Sequence, residues 1–307
     1  MEAMNAWEPI AADAAADAVA RDAAFELRRA SADGVAPPTA LVFASPHSGR
    51  LYPDDMMSAA ALDAHAIRRS EDVLVDDLIG AAPPLGATVL AARFARAYID
   101  VNREPFELDP AMFIDELPDF ARARTARVAA GLGAIARVVS EGQEIYARKL
   151  TFAEARARIE RAHRPYHAAL ERLIGEAHAA HGYAILVDWH SMPSAAARAG
   201  RDRACDVVLG DRFGAACAGA LTQAVERQLE AMGYRVARNT PYAGGYTTEH
   251  YGRPARRTHA LQIEINRAIY LDEATLEPTR GFQRLKSDLE TLTRALAQAD
   301  WSALRTN

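Results

Sequence analysis

The chain has 307 residues, 50% of them apolar and 25% charged, with a formal net charge of −5. That is enough chain for a large core with an ordinary globular balance, and the negative charge supplies no global basic field for nucleic acid. No apolar run reaches the roughly 18 residues of a membrane span; Asp13, Asp17, Arg21 and Asp22 interrupt the alanine-rich start, and sparse cysteine (Cys205, Cys217) fits a reducing compartment, so a cytoplasmic protein is expected.

Residues 5–30 have the spacing of an exposed amphipathic helix, within an N-terminal extension, 1–35, that is expected to be helical. Pro37-Pro38 closes that segment. Thr39 to Ala44 is an apolar run that reads as a buried strand, and it leads into Ser45-Pro46-His47-Ser48-Gly49. Residues 54–82 read as mostly helical, with Pro83-Pro84 as the stop. Two strands are expected next, Thr88 to Ala91 and Ala97 to Val101, the second running into Asn102-Arg103.

Residues 119–180 are dominated by helix formers. The arginines between Arg156 and Arg164 sit among Glu154, Glu160 and Glu171, which describes a solvated helix face rather than a basic patch. Tyr183 to His190 is a second apolar run that ends in a histidine. Asp206 to Leu209 reads as a strand, 212–232 as a helix, and Tyr234 to Arg238 as a short strand. A glycine-rich loop, Pro241 to Tyr246, follows. The last strand, Ala260 to Asn266, carries Glu264 inside an apolar run, and a helix over about 281–299 ends the pattern. Strands alternating with helices imply an α/β layered sheet. With no repeat or linker in view, a single catalytic domain over 1–307 is expected.

Open α/β sheets place their chemistry beyond the carboxyl ends of strands, so His47 and His190 are expected at one edge. Two such histidines can share a metal, and Glu71 and Asp72 are the candidates for a third ligand. On their own, both acids read as helix-surface residues. Arg96 and Asn102-Arg103 flank a strand that contains Asp100. An arginine there can bind a carboxylate through two hydrogen bonds, polarise a carbonyl, or form a structural ion pair. Alternation puts Gln262 and Glu264 on one face of their strand and Ile263 and Ile265 on the other. A buried carboxylate beside a metal is a candidate general base.

Gly244 to Pro254 gathers Tyr246, Thr247, His250 and Arg253 in what reads as a pocket loop. His163 and His167 imitate zinc spacing, but Arg164 stands where that motif needs a glutamate, so His167 reads as structural or pocket-lining rather than as a ligand. The chain has no Gly-x-Ser-x-Gly elbow, dinucleotide fingerprint or P-loop.

Seven of these segments, in this order, resemble the N-formylglutamate amidohydrolase family, a relative of zinc carboxypeptidases and aspartoacylases. They are Ser45 to Gly49, Asp72 with Val75-Asp76, Arg96 to Arg103, Pro165 to His167, Asp188 to Ser191, Gly244 to Thr247 with His250 to Gly252, and Leu261 to Glu264. The resemblance implies a phosphorylase/hydrolase-like three-layer fold around a central mixed, largely parallel sheet. It implies one divalent metal, with zinc the expected ion, held by His47, Asp72 and His190. Arg50 stands where aspartoacylase-like relatives carry a glutamate ligand, so the third ligand comes from elsewhere. Glu264 would be the general base and Arg96 the carbonyl-polarising group. Asn102, Arg103, Ser48, Tyr246, Thr247, His250 and Arg253 would bind substrate.

The implied reaction is hydrolysis of the formyl amide of N-formyl-L-glutamate, giving formate and L-glutamate by metal-activated water. The alternative is a related metallo-amidohydrolase acting on another N-acyl amino acid or small peptide-like amide. The implied partner is a small molecule, with no nucleic acid or membrane, for a monomer or small homo-oligomer.

Overall fold

The apolar runs pair into one sheet. The computed structural model describes residues 23–30, 36–139, 142–199 and 203–305. Among these residues the strands are β1 (Phe25–Arg28), β2 (Leu41–Ser45), β3 (Thr88–Ala92), β4 (Ala184–Met192), β5 (Val207–Gly210), β6 (Val236–Arg238) and β7 (Thr258–Asn266). They lie in the order β1-β3-β2-β4-β7-β5-β6. β3, β2, β4 and β7 run parallel, and so do β5 and β6. β1 is antiparallel to β3, and β5 to β7. The sheet is therefore mixed and largely parallel, as the resemblance implied.

The helices are α1 (Asp54–Met57), α2 (Ala64–Arg68), α3 (Val75–Leu78), α4 (Ala126–Ala129), α5 (Phe152–Arg158), α6 (Arg164–His181), α7 (Ser194–Arg198), α8 (Gly219–Ala231), α9 (Tyr246–Tyr251) and α10 (Gly281–Gln298). Strand parity decides which side chains meet them. Ile185, Val187 and Trp189 of β4 and Leu261, Ile263 and Ile265 of β7 pack with Leu78 of α3, Leu221 of α8 and Leu289 of α10. Each such leucine, fully buried, contributes roughly 2 kcal/mol. Leu186 and Ala260, of opposite parity, pack with Tyr166, Leu170 and Leu173 of α6. Asp188, His190, Gln262 and Glu264 share this second parity. The apolar residues under α6 come from the amino-terminal halves of β4 and β7, and the polar ones occupy the carboxyl-terminal halves.

Several segments depart from the sequence expectation. The start of the 5–30 segment lies outside the described residues, but Phe25–Arg28 is a strand, not a helix. Its Phe-Glu-Leu-Arg alternation lets it pair along the edge of β3. The 54–82 stretch breaks into three short helices. Asp63 caps a fresh start at α2, and Leu74 adopts a left-handed φ of 61° before α3. That break carries Glu71 and Asp72 into the interior, where both are buried rather than on a helix surface. Ala97 to Val101 pairs with no strand; Tyr98 N–H bonds to the Ala95 carbonyl in a turn, and Tyr98 and Ile99 pack into a separate core with Phe94, Leu108, Met112 and Ile135. The described residues of 119–150 are turns and isolated bridges around α4, and the long helical stretch starts only at the Thr151/Glu154 capping box. The 212–232 helix begins at Gly219.

Candidate active site

Three parallel strands deliver the site. His47 follows β2, His190 lies near the end of β4, and Glu264 is the register partner of His190 on β7. Asp72 comes from the break before α3, and its backbone N–H bonds to the His47 carbonyl at 3.0 Å. His47 Nδ1 and His190 Nδ1 are 3.1 Å apart. Asp72 Oδ2 lies 3.3 Å from the first and 3.0 Å from the second. All three residues are buried, and these atoms form a group that can hold a metal ion.

The atoms behind this group favour that reading. His47 Nε2 donates to Asp100 Oδ1 at 2.7 Å, and His190 Nε2 faces Asp188 Oδ2 at 3.0 Å. A carboxylate at each Nε2 assigns the proton there and leaves the Nδ1 lone pair for a metal. Two lone pairs and an anionic oxygen so close together repel unless a cation sits among them, so the donor set fits a divalent ion. The other oxygen of Asp72 accepts from Arg267 Nη2 at 2.9 Å and from Ser191 Oγ at 3.3 Å. Burial alone would raise the Asp72 carboxyl; the His190 and His47 imidazoles beside it and the Arg267 charge hold it well below the usual range. Glu71 is brought elsewhere: its Oε1 accepts from Tyr52 Oη at 2.6 Å and from Arg68 Nε at 3.2 Å.

Glu264 shares its face with Gln262, as the alternation requires. Gln262 Nε2 donates to Glu264 Oε1 at 2.8 Å, and Gly245 N–H donates to Gln262 Oε1 at 2.7 Å. Burial pushes the Glu264 carboxyl up to about 7, against the pull of His190 and Arg96. Arg96 Nη2 donates to Asp100 Oδ2 at 2.7 Å, so one carboxylate orients both His47 and Arg96. The cluster opens into a cavity of about 650 Å³, lined also by Arg69, Arg103, Arg127, Tyr242 and Gly244. Its walls hold five arginines against three carboxylates, Asp72, Asp100 and Glu264. A larger cavity of about 900 Å³ lies against Ala126, Val128 and Ala129 of α4. It contains none of these groups, so chemistry rather than size singles out the smaller one.

The remaining expected residues divide. Asn102 and Arg103 line the cavity. The Asn102 carboxamide is tied to protein: Nδ2 donates to Asp188 Oδ2 at 3.3 Å and lies 3.0 Å from His190 Nε2, and Oδ1 accepts from Thr247 N–H at 2.8 Å. Gly245 permits this approach, since a Cβ there would stand 2.5 Å from Asn102 Nδ2. Ser48, Tyr246, Thr247, His250 and Arg253 do not line the cavity. Ser48 Oγ pairs with Ser45 Oγ and accepts from Asp76 N–H. The stretch expected to be a loop contains α9, which buries Thr247 and Thr248. Tyr246 stacks on His250, and Arg253 bonds back to the Glu249 and Gly252 carbonyls.

His163 and His167 coordinate nothing in this cluster. His163 Nε2 donates to the Arg103 carbonyl at 2.9 Å and His167 Nε2 to the Val101 carbonyl at 2.7 Å. His167 Nδ1 accepts from Tyr251 Oη at 2.9 Å. A π-turn over Ile159–His163 joins α5 to α6 and brings His163 to that carbonyl. Arg267 was not singled out from sequence. It stands at the carboxyl end of β7, where the strand-end rule that selects His190 selects it too. Asp188 was visible in the same motif as His190, but its role needs the fold. Arg127, in a stretch read as continuous helix, carried no signal.

A mixed α/β sheet that carries a buried His-Asp-His group able to hold a metal, beside a strand-borne glutamate, defines the class: the layout of a hydrolase. The family model for N-formylglutamate amidohydrolase matches residues 39–271. The chain belongs to that family. It is 30% identical over 270 residues to an N-formylglutamate deformylase of Pseudomonas putida, covering 86% of this chain and 94% of the relative. It is 30% identical over 260 residues to the N-formylglutamate deformylase of Pseudomonas aeruginosa, covering 83% and 89%. The crystal structure of an N-formylglutamate amidohydrolase from Ralstonia eutropha superposes with a TM-score of 0.83 at 41% identity, covering 90% of this chain and 98% of that one.

Proposed function

We propose that this protein hydrolyses N-formyl-L-glutamate to formate and L-glutamate. The observation that carries the reading is the buried His47, Asp72 and His190 group beside Glu264, in a cavity where arginines outnumber carboxylates. Such a balance favours a dianionic substrate. Two imidazoles and a carboxylate suit zinc. When bound, the metal supplies Lewis acidity and lowers the pKa of water.

The protein's own groups do the rest. Glu264 takes the proton of the attacking water and returns it to the leaving amide nitrogen. Arg96, fixed by Asp100, donates to the oxygen that gains charge as the formyl carbon becomes tetrahedral. Arg103 takes one substrate carboxylate. Asn102 holds Asp188 and the start of α9 in place rather than reaching for substrate. Since His47, His190 and Glu264 hang from one sheet, we propose one catalytic domain, and we assign it to the cytoplasm, where buried Cys205 and Cys217 stay reduced.

The test is product release from N-formyl-L-glutamate, N-acetyl-L-glutamate and N-formyl-L-methionine, with and without chelator. Chelator-sensitive release confined to formylglutamate is expected. Zinc binding without turnover of formylglutamate would reject the substrate. Equal turnover of acetylglutamate would widen the activity to other N-acyl amino acids.

A further inference from the structure

Part of the cavity wall comes from a turn-rich segment that runs from Arg127 to Val139, and Arg127 holds its carboxylate partner only loosely. Arg127 is the residue of α4 that lines this cavity, while Ala126, Val128 and Ala129 face the larger one. Its nearest carboxylate, Glu107 Oε2, lies 3.7 Å from Nη1, beyond hydrogen-bond reach. Glu107 Oε1 already accepts from Thr125 Oγ1 at 2.5 Å. Arg103 is held more firmly: Nε donates to the Leu132 carbonyl at 3.1 Å and Nη1 to the Asn102 carbonyl at 2.9 Å. Leu132 N–H in turn donates to the Arg127 carbonyl at 2.8 Å, so the turn that carries Arg127 also holds the Arg103 guanidinium through the Leu132 carbonyl.

The other cavity arginines with mapped bonds are committed. Arg96 is on Asp100, and Arg267 donates through Nε, Nη1 and Nη2 to Ser191, the Arg69 carbonyl and Asp72. Burial first, then the neighbouring charges of Arg96 and Arg127, lowers the pKa of Arg103. Both arginines line the cavity, and its lining also includes the aliphatic side chains of Leu132, Val138 and Val139.

We infer that Arg127 binds the side-chain carboxylate of the substrate and is the residue by which this protein distinguishes an acidic formyl amino acid from a neutral one. Arg103 takes the α-carboxylate, the aliphatic lining takes the two methylenes, and the Arg127 fork, whose ion pair with Glu107 is a long 3.7 Å, takes the distal anion. The inference rests on the formylglutamate reading and adds the specificity determinant to it.

The experiment compares formate release from N-formyl-L-glutamate and from its uncharged isostere N-formyl-L-glutamine, using the parent chain, Arg127→Met and Arg127→Lys. Arg127→Met should lower kcat/KM for formylglutamate about 100-fold, chiefly through KM, and that for formylglutamine less than about fivefold. Arg127→Lys should keep an intermediate preference, because lysine restores the charge without the fork. Product binding gives an independent readout: L-glutamate should raise the parent's Tm more than L-glutamine does, and Arg127→Met should abolish that difference. An unchanged preference in Arg127→Met, or equal loss on both substrates, overturns the inference alone. Failure of the parent chain to release formate from formylglutamate overturns the underlying reading as well, and that result is seen before any variant is made.

Discussion

Glu264 and His190 are directly paired across β4 and β7, so a candidate base and a candidate metal ligand have their spacing set by sheet register. Mutation of either residue therefore separates two functions without moving the scaffold. Glu264→Gln keeps the shape and the Gln262 contact but cannot accept a proton. It should lower kcat about 10²- to 10⁴-fold while zinc content per chain, measured by elemental analysis, stays at the parent level. Loss of zinc together with activity would show Glu264 to be part of the metal site instead. At this scale much was legible. Strand ends gave His47 and His190, and alternation gave Glu264 its face. The choice of Asp72 over Glu71 was not legible from local pattern, because it depends on the left-handed Leu74 that turns the segment inward. The sequence places the two acids side by side; only the backbone sends one to Tyr52 and the other to the histidines.

Among elements, α6 does more than cover the sheet. Its His167, with His163 of the π-turn before it, clamps the carbonyls on either side of Asn102 and so holds the turn that carries Asp100, Asn102 and Arg103. Burial lowers His163 to about 4 and His167 to about 3, so both are neutral at pH 7. In the unfolded chain they titrate near 6.5. Below that pH the unfolded state binds more protons, so stability falls as pH drops from about 6.5 towards 4 and 3. His167→Gln keeps a donor for the Val101 carbonyl and removes one titrating group. Its stability, followed by urea unfolding from pH 7 to 4, should fall less steeply than the parent's; parallel slopes would remove His167 as a source of acid sensitivity. The long elements β2, β4, β7 and α10 could be read from the sequence, since one period dominates each. The 93–150 region could not. Its hydrogen bonds join turn to turn, as Asp100 N–H to the Ala134 carbonyl and Ala134 N–H to the Glu107 carbonyl show, and no periodicity records such pairs. Arg127 belongs to that region, which is why the sequence stayed silent about it.

Over the whole molecule, α/β class followed from alternating strand and helix patterns, but strand order and the reversal of β5 and β6 did not. The neighbour that β1 finds is the least expected part, and it has a consequence away from the active site. The family match begins at residue 39, so Phe25–Arg28 lies outside it. Without that segment, Val89, Leu90 and Ala91 of β3 would present an open row of backbone donors and acceptors to any passing chain. At the opposite margin the last strand is only Val236–Arg238, with Arg238 paired to Glu226, a short and charged end that discourages such docking. A chain shortened to start at residue 39 should keep its hydrolytic groups yet self-associate through β3. Light scattering would register this as a concentration-dependent rise in mass, and a monodisperse shortened chain would show that β3 needs no cover. The first described strand thus acts as a guard against aggregation, a service to the colloid rather than to the chemistry.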